Sequence, residues 1–73
     1  MSVGIIGGGV WGSALARIFS QNNVLIFTRD ESIAKSINDH KFNPRLKYVS
    51  FNENVSATCL IEDLKTCEFI SIA

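Results

Sequence analysis

Val3-Gly4-Ile5-Ile6-Gly7-Gly8-Gly9-Val10-Trp11-Gly12 is the stretch from which the rest of the chain is read. A short apolar run of strand type passes directly into glycines at positions 7, 9 and 12, the spacing Gly-x-Gly-x-x-Gly. Each glycine has its own physical task in that reading. Gly7 permits the tight turn leaving the strand, Gly9 removes the side chain that would hold a pyrophosphate off the backbone, and Gly12 lets the following helix lie close on the sheet. The helix would begin where the anion sits, its free N–H groups and positive dipole end facing the phosphates. Glycine-rich turns alone are common. Between a strand-like run and a helical pattern, this one predicts a dinucleotide-binding turn.

Downstream, Val10, Ala14, Leu15, Ile18 and Phe19 recur at helical spacing, and Gln21-Asn22-Asn23 offers residues that tolerate the left-handed conformation ending a helix. Val24-Leu25-Ile26-Phe27 is a continuous apolar run, as expected for a parallel strand covered on both faces. Asp30 or Ser32 can cap a second helix that turns Ile33, Ala34 and Ile37 inward. From Asn38 to Asn54 the periodicity dissolves around the only proline, Pro44, with a brief alternation at Tyr48–Phe51, which predicts a long surface connection with at most a turn of helix. Val55–Cys59 reads as a third strand. Leu60, Leu64 and Cys67 give a short amphipathic helix with Glu62, Asp63 and Lys65 outside, and Phe69–Ala73 reads as a fourth strand. The fold expected is α/β: a partial Rossmann-type, doubly wound parallel sheet of four strands in the order 3-2-1-4, with right-handed crossovers.

With 73 residues the chain is about half a usual dinucleotide-binding domain, and a core of that size is marginal. The 47% apolar content places it in the globular class. Seven basic and seven acidic residues cancel without a basic run, which argues against nucleic acid or an anionic membrane as partner. No apolar stretch approaches the ~20 residues of a membrane span. The apolar start ending in Ala14-Leu15-Ala16 lacks the preceding basic residue of a secretion signal, and its glycines would spoil a signal helix. Cys59 and Cys67, with seven residues between them, fit no zinc or redox spacing and read as reduced thiols. A soluble, cytoplasmic protein with no metal site is expected.

A dinucleotide site ordinarily carries an Asp or Glu at the end of the second strand, on the adenosine ribose; here Thr28 and Arg29 stand there. A guanidinium can make bidentate, charge-assisted bonds to a ribose 2′-phosphate that a carboxylate would repel, so Arg29 favours NADP over NAD. Against this stands a solvated arginine beside a capping aspartate, and Asp30 could itself reach a ribose hydroxyl. Trp11 either packs on neighbouring strands or walls the cofactor channel with its indole N–H free to donate.

Gly7-Gly8-Gly9-Val10-Trp11-Gly12-Ser13-Ala14-Leu15-Ala16 resembles the opening of the bacterial-type NAD(P)-dependent glycerol-3-phosphate dehydrogenases. The likeness continues through Arg29, Ile37-Asn38, Asn43 with Tyr48, Val55-Ser56-Ala57-Thr58 and Phe69-Ile70-Ser71-Ile72-Ala73. The resemblance spans essentially the whole chain and implies that it corresponds to roughly the first quarter of such an enzyme. Val10 departs from the serine common before the tryptophan. The resemblance implies cofactor contacts at Gly7, Gly8, Gly9, Val10, Trp11, Gly12, Thr28 and Arg29. It also implies reversible reduction of dihydroxyacetone phosphate to glycerol 3-phosphate, a phospholipid precursor, with catalytic lysines and a substrate-gripping domain beyond residue 73.

Within these residues no catalytic group is expected: His40 stands alone in a polar stretch, and Lys35, Lys41, Lys47 and Lys65 are scattered singly. Residues 1–73 thus read as the amino-terminal part of a dinucleotide-binding domain. The alternatives are another reductase with the same opening, of ketopantoate or hydroxyacyl-CoA type, or a non-catalytic nucleotide-sensing module. Right-handed crossovers would place two helices on one face and only the third on the other, and would leave the fourth strand as an open edge. Self-association through that edge, or marginal folding, is expected of the chain alone.

Overall fold

The computed structural model describes residues 2–7, 16, 19, 21–44 and 50–72. Strands β1 (Ser2–Ile6), β2 (Asn23–Phe27), β3 (Val55–Thr58) and β4 (Phe69–Ile72) form one sheet in the order β3-β2-β1-β4, every pair parallel. This is the predicted order. Helix α1 (Glu31–His40) follows β2, and a 3-10 helix (Ile61–Thr66) joins β3 to β4.

Register sorts the side chains. Val3 lies level with Val24 and Phe69, and Val24 with Val55; Ile5 lies level with Ile26 and Ser71, and Ile26 with Ala57. Because side chains alternate along a strand, these two rows share one face. From β3 to β1 that face is dry: Val3, Ile5, Val24, Ile26, Val55 and Ala57 form one buried cluster with Ala16, Ile33, Ala34, Ile37 and Phe51, while Phe69 on β4 is 51% exposed. Ala16 has helical backbone and is fully buried, and Phe19 packs against the cluster and tilts its ring onto Phe69 at 6.2 Å. The rest of the helix predicted after the glycines lies outside the described residues.

Asp30 starts α1. Its backbone is extended, and its Oδ1 accepts from the N–H groups of Ser32 (2.9 Å) and Ile33 (3.3 Å), two of the donors a helix start leaves unsatisfied. Glu31 in the first turn and His40 in the last have the signs that suit the helix dipole. Lys41 ends the helix in the left-handed conformation (φ 57°), its N–H donating to Ile37 O at 3.0 Å. The predicted inward trio, Ile33, Ala34 and Ile37, is the buried face of α1.

Three expectations are corrected. The stretch Asn38–Asn54 is not simply a surface connection. Asn38 to His40 are the last turn of α1, Phe42 pairs with Ser50 in an antiparallel bridge, and the Phe51 N–H donates to Lys41 O at 2.7 Å. Phe51 joins the core and Asn43 is fully buried, because the chain must return beneath α1 to reach β3. Tyr48 lies outside the described residues. The second correction concerns the helix after β3. It is 3-10, so residues three apart line up, and Leu64 with Cys67 replaces the predicted Leu60–Leu64–Cys67 stripe. Leu64 is buried, Cys67 half-buried and Leu60 60% exposed.

The second face carries the rows Gly4–Leu25–Ser56–Ile70 and Ile6–Phe27–Thr58–Ile72. Leu64 covers it only near its centre. A Cβ on Gly4 would stand 3.1 Å from Leu64 Cδ2 and 3.2 Å from Cys67 Sγ, so glycine is what lets the 3-10 helix sit down. Leu25 is only half-buried, which corrects the expectation that β2 is covered equally on both faces.

Candidate functional site

The carboxyl ends of β1 and β2 bring three predicted site residues together. Gly7 leaves β1 at φ 121°, a conformation L side chains rarely adopt, and its N–H donates to Phe27 O at 3.0 Å. That bond fixes the turn to the end of the neighbouring strand. Thr28 carries the ladder one step further, its N–H donating to Thr58 O at 3.0 Å. Gly7, Thr28 and Arg29, with Ile6 and Phe27, line a cleft of about 240 Å³. In open α/β sheets this carboxyl rim is where ligands bind, next to the point where strand order reverses.

The side chains differ in what they can offer. Thr28 is buried, and its Oγ1 accepts from the Asp30 N–H at 3.2 Å, so the hydroxyl braces the turn. Arg29 is exposed at the cleft wall. Asp30 directs Oδ1 into the helix cap, where it accepts a third bond, from Ser32 Oγ, at 2.6 Å. The residues lining the cleft include a cation and no carboxylate. Ile6 and Phe27 give it an apolar floor that sequence reading did not single out; their place as the last residues of their strands was the available signal. Gly8, Gly9, Val10, Trp11 and Gly12 lie outside the described residues.

Among the described residues, no other cationic side chain lines this cleft. Lys41 Nζ donates to Val55 O at 2.6 Å, a structural use that its scattered position did not suggest. His40 stacks obliquely on Phe42 at 6.3 Å. Lys47 lies outside the described residues. Among the described residues no three His, Cys, Asp or Glu side chains group as a metal site, and no helix is long and apolar enough to cross a membrane. A second cavity, about 310 Å³, opens at the amino end of the sheet between Ser2, Asn23, Asn54 and Thr66. It has neither a glycine turn nor a cationic side chain in its lining, so the carboxyl rim is the better candidate.

Comparison with known proteins agrees with this geometry. Residues 2–73 match the family model described as the NAD-dependent glycerol-3-phosphate dehydrogenase N-terminus. A protein of Neorickettsia sennetsu named glycerol-3-phosphate dehydrogenase [NAD(P)+] is 39% identical over 72 residues, covering 94% of this chain and 22% of its own length. A protein of the same name from Rickettsia bellii is 39% identical over 99% of this chain and 24% of its own. One from Wolbachia pipientis subsp. Culex pipiens is 32% identical over all of this chain and 23% of its own. The chain thus spans less than a quarter of the length of the curated relatives it matches.

Proposed function

The chain belongs to the NAD-dependent glycerol-3-phosphate dehydrogenase family, matching its amino-terminal part, and from that premise we propose that its carboxyl rim binds a nicotinamide dinucleotide. The observation that carries this reading is Gly7. It is a left-handed glycine locked to the end of β2, directly beside an exposed arginine. The backbone of Gly7, Gly8, Gly9, Val10, Trp11 and Gly12 would hold the pyrophosphate, and Thr28 and Arg29 would frame the adenosine ribose. When bound, the cofactor supplies or takes up a hydride. The residues of this chain bind and orient it. The apolar residues Ile6 and Phe27 and the cationic Arg29 in the cleft's lining fit such a ligand.

On this reading residues 1–73 are the amino-terminal part of a dinucleotide-binding domain in an oxidoreductase. That enzyme interconverts dihydroxyacetone phosphate and glycerol 3-phosphate in phospholipid precursor synthesis, in the cytoplasm, with the catalytic groups outside these residues. NADP would be the preferred cofactor: a guanidinium suits a 2′-phosphate, and the exposed Arg29 at the cleft wall, with an oxygen of Asp30 committed to capping α1, supports that reading. Self-association of the chain alone would run through β4, which pairs only with β1 in the described sheet and exposes Ile70 and Ile72.

The test is a fluorescence titration of the chain and its Arg29→Ser variant with NADPH and NADH. Loss of one charge-assisted contact should weaken NADPH about ten-fold and leave NADH nearly unchanged. Equal weakening of both, or of neither, would remove the NADP preference. Absence of binding by either nucleotide would remove the cofactor reading itself.

A further inference from the structure

The outer edge of β3 is sealed by side chains. In a parallel strand the N–H and C=O of one residue point to the same side, and successive residues alternate. Asn54 O and Thr58 O accept from Val24 N–H and Thr28 N–H on β2, so the groups of Val55 and Ala57 face away from the sheet. All four outward groups are engaged. Asn38 Nδ2 donates to Ala57 O at 2.9 Å, while Asn38 Oδ1 accepts from Ala57 N–H at 2.8 Å. Lys41 Nζ donates to Val55 O at 2.6 Å, and Val55 N–H donates to Asn52 O at 3.1 Å.

We infer that Asn38 and Lys41, from the last turn and cap of α1, act as a strand surrogate that closes the β3 edge to pairing with any other strand. A primary amide presents an N–H donor and a carbonyl acceptor side by side, as the N–H and C=O of one strand residue do, so Asn38 imitates the neighbour β3 lacks. Lys41 does more than cap a carbonyl. A strand approaching this edge would have to displace its ammonium from Val55 O, and lysine at an edge is a recognised barrier to edge-to-edge association. The sheet is therefore closed at β3, so the self-association proposed above, through β4 alone, would end in pairs, whereas two open edges would permit chains of molecules.

Asn38→Leu keeps the side-chain size and removes both amide bonds. At low concentration its Ala57 amide should exchange about ten-fold faster with solvent than in the unaltered chain. Raising the concentration should restore protection at Ala57 and produce species larger than a dimer by sedimentation. Unchanged exchange at Ala57, or sedimentation matching the unaltered chain at every concentration, would overturn the inference. Should Asn38→Leu fail to fold, Lys41→Met decides. It loses one bond and keeps an apolar stem, and it should associate beyond the dimer at higher concentration; sedimentation like that of the unaltered chain would refute the edge seal. Asn38→Asp keeps the acceptor for Ala57 N–H and adds a charge at the edge. It should stay as small as the unaltered chain, and growth into larger species would count against the account.

Discussion

The two faces of this sheet are made from neighbouring residues of the same strands, yet they end in different environments. Val3, Ile5, Val24, Ile26 and Val55 are at most 2% exposed, in one cluster with Ala16, Phe51 and the inward trio of α1. One residue along, the described cover is the short 3-10 helix over Gly4, while Leu25 and Phe27 are half-buried and Ile70 and Ile72 are 47% and 79% exposed. Composition does not separate the two rows, since both are largely apolar. What separates them is which elements land on each face. Parallel strands rich in Val, Ile and Leu expect cover on both sides, and here the cover is unequal.

The comparison can be broken most directly by truncating matched residues on the two faces. Ile5→Ala should cost about 2–5 kcal/mol in urea or thermal unfolding, enough to unfold a domain of this size. Ile72→Ala on the open face should stay within about 0.5 kcal/mol. Similar losses at both sites would mean that the second face is covered too. Gly4→Val probes the one well-packed spot on the open face. It should destabilise by about 1–3 kcal/mol, because the added side chain meets Leu64 and Cys67. A neutral result would show that the 3-10 helix does not rest on the sheet.

Asp30→Ala tests the lid of the closed face. Losing the cap should cost about 1 kcal/mol and lower the helical signal by circular dichroism, with the sheet retained. The smallest effect concerns Cys67. Burial raises its thiol pKa above the ordinary thiol value, so the folded state holds the proton more tightly than the unfolded chain. The stabilisation is complete below the unfolded thiol's pKa, and it falls away as pH rises from there through the folded pKa. Stability followed into the alkaline range should decline in the unaltered chain, and that part of the decline should vanish in Cys67→Ala. An identical slope in both would show that water reaches this side of Gly4 freely.

Much of this was legible in the sequence, for identifiable reasons. Strand order followed from the apolar runs and the glycine turn. The inward trio of α1 followed from residue type and spacing, which also narrowed its cap to Asp30 or Ser32 without choosing between them. The 3-10 helix was missed because Leu60, Leu64 and Cys67 satisfy an α-helical period equally well. What removed Leu60 from the packed side was the tighter winding of six residues. Burial of Asn43 and Phe51 was missed because the return of the chain beneath α1 is a tertiary event with no periodic signature. The seal on β3 was invisible for the same reason: Asn38 and Ala57 are 19 residues apart, and nothing local ties an amide to that edge. At the rim, Gly7, Thr28 and Arg29 were named from motif spacing alone, whereas the apolar floor of Ile6 and Phe27 needed strand register to emerge.

The central claim is that the nucleotide lies on the carboxyl rim of β1 and β2. Backbone amide shifts during an NADPH titration address it residue by residue. The account predicts saturable shifts at Gly7, Thr28 and Arg29, with Asn23, Asn54 and Thr66 at the opposite end unmoved. Shifts confined to that opposite end, with Gly7 and Arg29 unchanged, would contradict it.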